Sequence, residues 1–174
     1  MFVLEKTLDR VSVALALMGG VILCALIVMS VLSITGRGLS DYGFKPVPGD
    51  FELIEMGVGV AIFWFLPLCQ MRRGHVSVDL FMRAFGPRVN LVIDLIANAL
   101  MSVFAVLIAW RLILGAMDKT RFGETTYILQ APLYIGYWLA VVGAAVFVLT
   151  AVYSVIRSHR ELNGFDTVIL SDDR

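Results

Sequence analysis

Charge is scarce in this sequence, and so are the side chains that usually do chemistry. Only 16% of its 174 residues are Asp, Glu, Lys or Arg, against roughly 25% in soluble domains. That excludes an ordinary water-soluble globule. Basic and acidic residues number 14 each, so no basic surface exists to read nucleic acid. The two cysteines, Cys24 and Cys69, both fall inside apolar runs. This is too little sulfur for a disulfide framework or a zinc cluster, and buried, inert thiols are expected. The two histidines, His75 and His159, stand at the edges of apolar runs rather than within them. Haem held between membrane helices needs axial ligands inside the bundle, so a haem anchor is disfavoured. No Walker, zincin or nucleophile-elbow pattern occurs. No catalytic residue, cofactor or metal site is expected.

What is present is hydrocarbon. Hydrophobic residues make up 59% of the chain, and mean hydropathy is +0.87. The stretch Arg72-Arg73-Gly74-His75-Val76-Ser77-Val78-Asp79-Leu80-Phe81 is the main charged interruption of its middle. An Arg or Asp at the centre of a membrane helix costs about 2.5–3.5 kcal/mol. This stretch therefore lies outside the bilayer core, as a hinge between two spans.

The rest of the chain is read outward from that hinge. Val11 to Ile34 carries no charge and exceeds the about 20 residues a span needs. It is also longer than the apolar region of a signal peptide. Thr35 to Asp50 holds Gly36, Gly38, Gly43, Pro46, Pro48 and Gly49 and is expected to be an exposed loop. Asp50 is then the expected N-cap of a span over 51–71, with Glu52 and Glu55 in its first turns, where the helix dipole favours acids. Pro67 is a candidate kink. Val78, Leu80, Phe81, Met82 and Phe85 interleave with Asp79 and Arg83 as an amphipathic piece suited to the interface. Gly86-Pro87 resets direction, and a third span follows over 89–117. Asp118 to Glu124 makes a polar connection. The fourth span covers 129–156, with Pro132 in its first turn and Tyr134, Tyr137 and Trp138 in the aromatic belt. Residues 161–174 form a short polar tail.

The expected fold is an all-α integral membrane protein, residues 1–160, with four transmembrane helices and a short interfacial amphipathic segment. Its orientation follows from basic residues. Lys6, Arg10, Arg72, Arg73, Arg83, Arg88, Arg157, Arg160 and Arg174 share one side, and Arg37, Lys45, Arg111, Lys119 and Arg121 the other. The positive-inside rule then places both termini and the hinge in the cytoplasm.

Polar residues within the spans are few. Asp94 and Asn98 are four apart and share a helix face, which points to contact with another helix or a partner subunit. A proton relay through Asp94 or Glu55 is the competing reading. His75 reads as a capping or interfacial residue. Small residues at Gly57, Gly59, Ala61, Gly143, Ala144 and Ala145 suit close packing against another protein. No broken helices recur in two halves, the usual pointer to a transport site.

Gly74-His75-Val76-Ser77-Val78-Asp79 resembles the His-[Ile/Val]-x-Val-Asp signature of the small membrane subunits of tripartite ATP-independent periplasmic (TRAP) transporters, the DctQ-like family. Glu52 is similar to that family's acidic position at the start of the second span. Gly123 and Thr125 to Pro132, leading into an aromatic fourth span, resemble its last conserved block. Glu55 has no counterpart role. The resemblance implies a non-catalytic subunit of the bacterial inner membrane. Its implied partners are a large membrane subunit holding the substrate and sodium sites, and a periplasmic binding protein delivering a carboxylate such as a C4-dicarboxylate or a sialic acid. Arg73, Gly74, His75, Val78, Asp79 and Glu52 would form the structural motif. Asp94 and Asn98 would touch the partner subunit, and Lys119 and Arg121 would help dock the binding protein. A self-contained proton-coupled transporter and a haem- or quinone-binding anchor remain the alternatives.

Overall fold

The computed structural model describes the backbone of residues 2–72 and 86–172. Four long helices account for most of it: α1 Phe2–Gly38, α2 Asp50–Met71, α3 Pro87–Phe122 and α4 Leu133–Asp172. All four contain a segment long and apolar enough to cross a membrane. A single 3-10 turn, Ser40–Tyr42, lies in the first loop. The start of α1 meets the end of α2 at one end of the bundle, where Arg72 pairs with Asp9 at 3.6 Å. The loops over 39–49 and 123–132 meet at the other end.

Each helix outruns the span expected for it, except α2. Charged residues end a membrane segment, yet they do not end a helix, because Lys, Glu and Arg are good helix formers. At 37 and 36 residues, α1 and α3 are about 54–56 Å long at 1.5 Å per residue, well beyond a hydrocarbon core of about 30 Å. The mixed segment before Val11 is helical because Leu8 packs with Met71 and Tyr153. Gly36 and Gly38, expected in a loop, lie in α1 instead. Gly36 is needed there: a Cβ would come within 2.5 Å of the Lys45 carbonyl, where the loop folds back. The expected polar connection at Asp118 to Arg121 is the last turn of α3, closed by Gly123 in the left-handed region (φ 61°). Residues 129–132 belong to a loop, so α4 begins at Leu133. It continues past Arg157, helped by the Arg157–Glu161 pair at 3.1 Å, and the expected tail is helical to Asp172.

The core is built around α4, which packs on both α2 and α3, while α1 packs on α2. One cluster joins Leu15, Val60 and Trp64, and another joins Ala105, Phe147 and Ala151. Helix α4 comes close to the backbone of α2 one turn before Pro67. Having no N–H, Pro67 cannot bond the Phe63 carbonyl four residues back. That carbonyl faces Gly143, where an added Cβ would lie 2.5 Å from it. One turn away, Trp64 Nε1 donates to the Leu139 carbonyl at 2.8 Å. Helix α2 remains continuous through Pro67.

This packing corrects an expectation. Ala61, Gly143 and Ala144 are buried within the chain, and Gly57 receives the Leu26 side chain. Those small residues serve the protein's own helices. A stripe of small residues has the same spacing whichever helix covers it. Gly59 and Ala145 are not enclosed. Cys24, expected to be buried, is exposed on α1, and Cys69 is partly buried. In a bilayer, lipid tails rather than core side chains would surround Cys24.

Candidate functional site

At the end of the bundle that carries the two short loops, α2 begins with two acids that perform different tasks. Asp50 is the first residue of α2, not its N-cap. The cap is Gly49, held in the left-handed region at φ 74°, where a Cβ would strike the Leu129 side chain. Asp50 is 8% exposed. Its Oδ2 accepts hydrogen bonds from Ser33 Oγ at 2.5 Å and Arg37 Nη2 at 3.0 Å. Ser33 Oγ in turn accepts the Val47 N–H at 3.3 Å. The first loop is thereby fastened to both helices it connects.

Glu52 reaches the second loop. Its Oε1 accepts the Ile128 N–H at 2.6 Å, and Oε2 accepts the Leu129 N–H at 2.9 Å. An ionised carboxylate is the acceptor best suited to two adjacent amides. It caps another segment rather than its own helix, which helix-dipole reasoning does not foresee. The loop itself is tightly closed. The Thr126 N–H donates to the Ala131 carbonyl at 2.9 Å, and the Leu133 N–H to the Glu124 carbonyl at 3.0 Å. Thr126 Oγ1 accepts the Ala131 N–H at 3.0 Å, and Gln130 Nε2 donates to the Tyr127 carbonyl at 3.0 Å. Gln130 holds a positive φ of 53°. With its backbone so occupied, the loop displays Tyr127 at 92% exposure and Ile128 at 60%. Lys119 is paired with Glu124, and Arg121 is exposed beside them.

The opposite end holds a polar knot. Asn98 Oδ1 accepts from Gln70 Nε2 at 3.0 Å. Asn98 Nδ2 donates to Ser158 Oγ at 3.0 Å and to the Asp94 carbonyl at 2.9 Å. Gln70 and Ser158 are 2% and 1% exposed and Asn98 is half-buried, and the three side chains tie α2, α3 and α4 together. Of the two contacts open to Asn98, the structure places it against other helices of its own chain. Asp94 contributes its backbone carbonyl to this knot.

Sequence reasoning singles out Glu52 and Asn98 but misses their partners, and it misses Ser33, Gln70 and Ser158 entirely. Arg73, Gly74, His75, Val78 and Asp79, and the amphipathic piece that follows them, lie outside the described residues. Among the described residues, no group of three His, Cys, Asp or Glu could hold a metal ion. The arrangement binds loops and helices together, and it can present a rigid surface.

Neither a curated protein nor a solved structure matches this chain. A family model does, over residues 26–161: Tripartite ATP-independent periplasmic transporters, DctQ component. The match runs from the middle of α1 into α4 and includes Glu52, Asn98 and the whole second loop. Four apolar helices and this match together make the protein a multi-pass membrane protein, and the chain belongs to the DctQ family, the small permease component of TRAP transporters.

Proposed function

We propose that this chain is the non-catalytic scaffold of a sodium-driven importer of organic acids in a bacterial inner membrane. The outward faces of α1 and α3 would pack against the large transport subunit. The second loop would help dock a periplasmic binding protein. Both termini would then be cytoplasmic.

One observation carries the reading: the described spans contain no compensated polar path for an anion. A carboxylate crossing the bilayer needs a polar site near the midplane. The central polar side chains are isolated groups such as Cys24, Ser30, Ser102 and Thr150, and Ser30 and Thr150 already donate to the Leu26 and Phe147 carbonyls. The buried polar side chains of the Asn98 knot are bonded to each other at one end of the bundle. The substrate site therefore belongs on another chain. Its expected cargo is a C4-dicarboxylate or a sialic-acid-like molecule, in keeping with the family resemblance. Helix α3 has the smallest buried share of the four, since only 6% of its most apolar window is buried. On the docking side, a rigid loop with a projecting aromatic loses little conformational entropy on binding. We place Tyr127 and Ile128 at that contact, with Arg121 and Lys119 at its rim.

Reconstitution tests this. Proteoliposomes holding the large subunit, with binding protein and substrate outside, should take up substrate under a sodium gradient only when this chain is present. Full uptake without it would overturn the scaffold reading. Within the complete system, Arg121→Glu should raise the binding-protein concentration needed for half-maximal uptake, more so at low salt, where exposed charges are less screened.

A further inference from the structure

Between α2 and α3 the bundle leaves a groove that opens sideways. Its lower part, about 470 Å³, is lined by Phe63, Leu107, Ile108, Leu112 and Tyr137 with Arg111. Its upper part, about 390 Å³, shares Phe63, Leu112 and Tyr137 and rises to Glu55 and Lys119. Each part is within the ~300–1,000 Å³ of small-molecule sites. From Leu107 to Lys119 the groove follows α3 for about 18 Å at 1.5 Å per residue.

Its charges are the informative part. Lys119 is neutralised by Glu124. Arg111 and Glu55 have no hydrogen bond or ion pair among the described residues. An uncompensated guanidinium on an apolar helix face requires an anion, and it snorkels to reach one. Glu55 lies at the level of Lys119, eight residues or about 12 Å above Arg111 along α3. A cation low in the groove and an anion above it match a zwitterionic headgroup in its membrane orientation, phosphate below and ammonium outermost.

We infer that this groove is a binding site for one phospholipid with a primary ammonium headgroup, of the phosphatidylethanolamine class. The phosphate meets Arg111 in a charge-assisted, fork-shaped contact. The ammonium meets Glu55, and one acyl chain lies along Leu107 and Ile108. An anionic phosphatidylglycerol would satisfy Arg111 yet bring no cation to Glu55. Apolar fit sets the depth of the lipid, and the two charges set which lipid it is.

The test needs no transport, so it is separate from the scaffold reading. The full-length chain is placed in nanodiscs of equal phosphatidylethanolamine and phosphatidylglycerol, then exchanged into delipidating detergent. Retained lipid is counted by native mass spectrometry. The wild type should keep one phosphatidylethanolamine per chain. Arg111→Gln should reduce retention by about tenfold, the effect of losing one charge-assisted contact. Glu55→Gln should keep a lipid but lose the preference for phosphatidylethanolamine. Ile108→Trp, which fills the lower groove without changing charge, should expel lipid of either kind, with circular dichroism confirming that both groove variants stay helical. Unaltered retention in helical Arg111→Gln and Ile108→Trp would overturn the assignment. So would a wild type that prefers phosphatidylglycerol, or one that keeps no discrete lipid, which would give the groove to bulk lipid or to a partner's helix.

Discussion

At Gly143 a missing side chain is what allows α4 to sit against the carbonyl that Pro67 releases on α2. Gly143→Ala would force a methyl to within 2.5 Å of the Phe63 oxygen. The two backbones must then separate, and the Trp64 bond to Leu139 must lengthen. Overpacking of this kind costs about 1–3 kcal/mol. The expected result is a lower thermal midpoint in detergent, measured by circular dichroism, with an undiminished helical signal before melting. Gly59→Ala is the control, because nothing lies within 4 Å of a Cβ there. Glu52 gives a second expectation at this scale. In Glu52→Gln one oxygen must accept what two accepted before, and the new amide brings donors that face other donors. Amide exchange at Ile128 and Leu129 should quicken by on the order of tenfold, while exchange in the core of α2 stays unchanged. Hydrogen-exchange mass spectrometry checks both parts.

Among the helices, α3 leans most on a single neighbour. It packs on α4, meets α2 sparingly, and is pinned near its start by Asn98. Removing that amide takes one hydrogen-bond partner from each of the buried Gln70 and Ser158. Interhelical hydrogen bonds in membranes average about 0.6 kcal/mol and reach about 1.7, so Asn98→Leu should loosen α3 without unfolding the bundle. Spin labels at Leu53 and Val103 should then report a broader distance distribution than in the wild type, and an unchanged distribution would count against the pin. This element also marks the reach of sequence reasoning. The spacing of Asp94 and Asn98 shows a polar face directed at protein. It cannot show Gln70, a single polar residue at the end of an apolar run, or Ser158, a residue found as readily in any loop. Helix ends are hard for a related reason. Charge marks where lipid stops, and α1, α3 and α4 run on beyond that point.

On the scale of the whole molecule, four spans are legible because a soluble protein rarely needs uncharged hydrocarbon runs of that length. Which faces stay inside is not. Gly57, Ala61, Gly143 and Ala144 are recognisable as contact residues, but a contact within the chain and a contact with a foreign helix leave the same spacing in the sequence. Glu52 and the loop it caps are 76 and 77 positions apart, beyond the range of any local pattern. Orientation rests on nine basic residues on one side against five on the other. Cysteines placed at Ser77 and Ser171 should be shielded from an impermeant reagent added outside intact cells, while one at Ser40 should be labelled. Outside labelling at position 77 would invert the topology.

The placement of α4 between α2 and α3 has a consequence for how the protein is made. During synthesis α3 emerges before the helix that covers it. Until Leu133 and the residues after it are translated, the Ala105 face of α3 and the amide of Asn98 must be sheltered by lipid, by the insertion machinery or by a chaperone. The three-helix intermediate is therefore the exposed stage of biogenesis, and the arrival of the final helix completes the hydrophobic interior in one step. A ribosome that stalls in the second loop would leave a membrane-inserted chain with its keystone missing, a natural substrate for quality-control proteolysis.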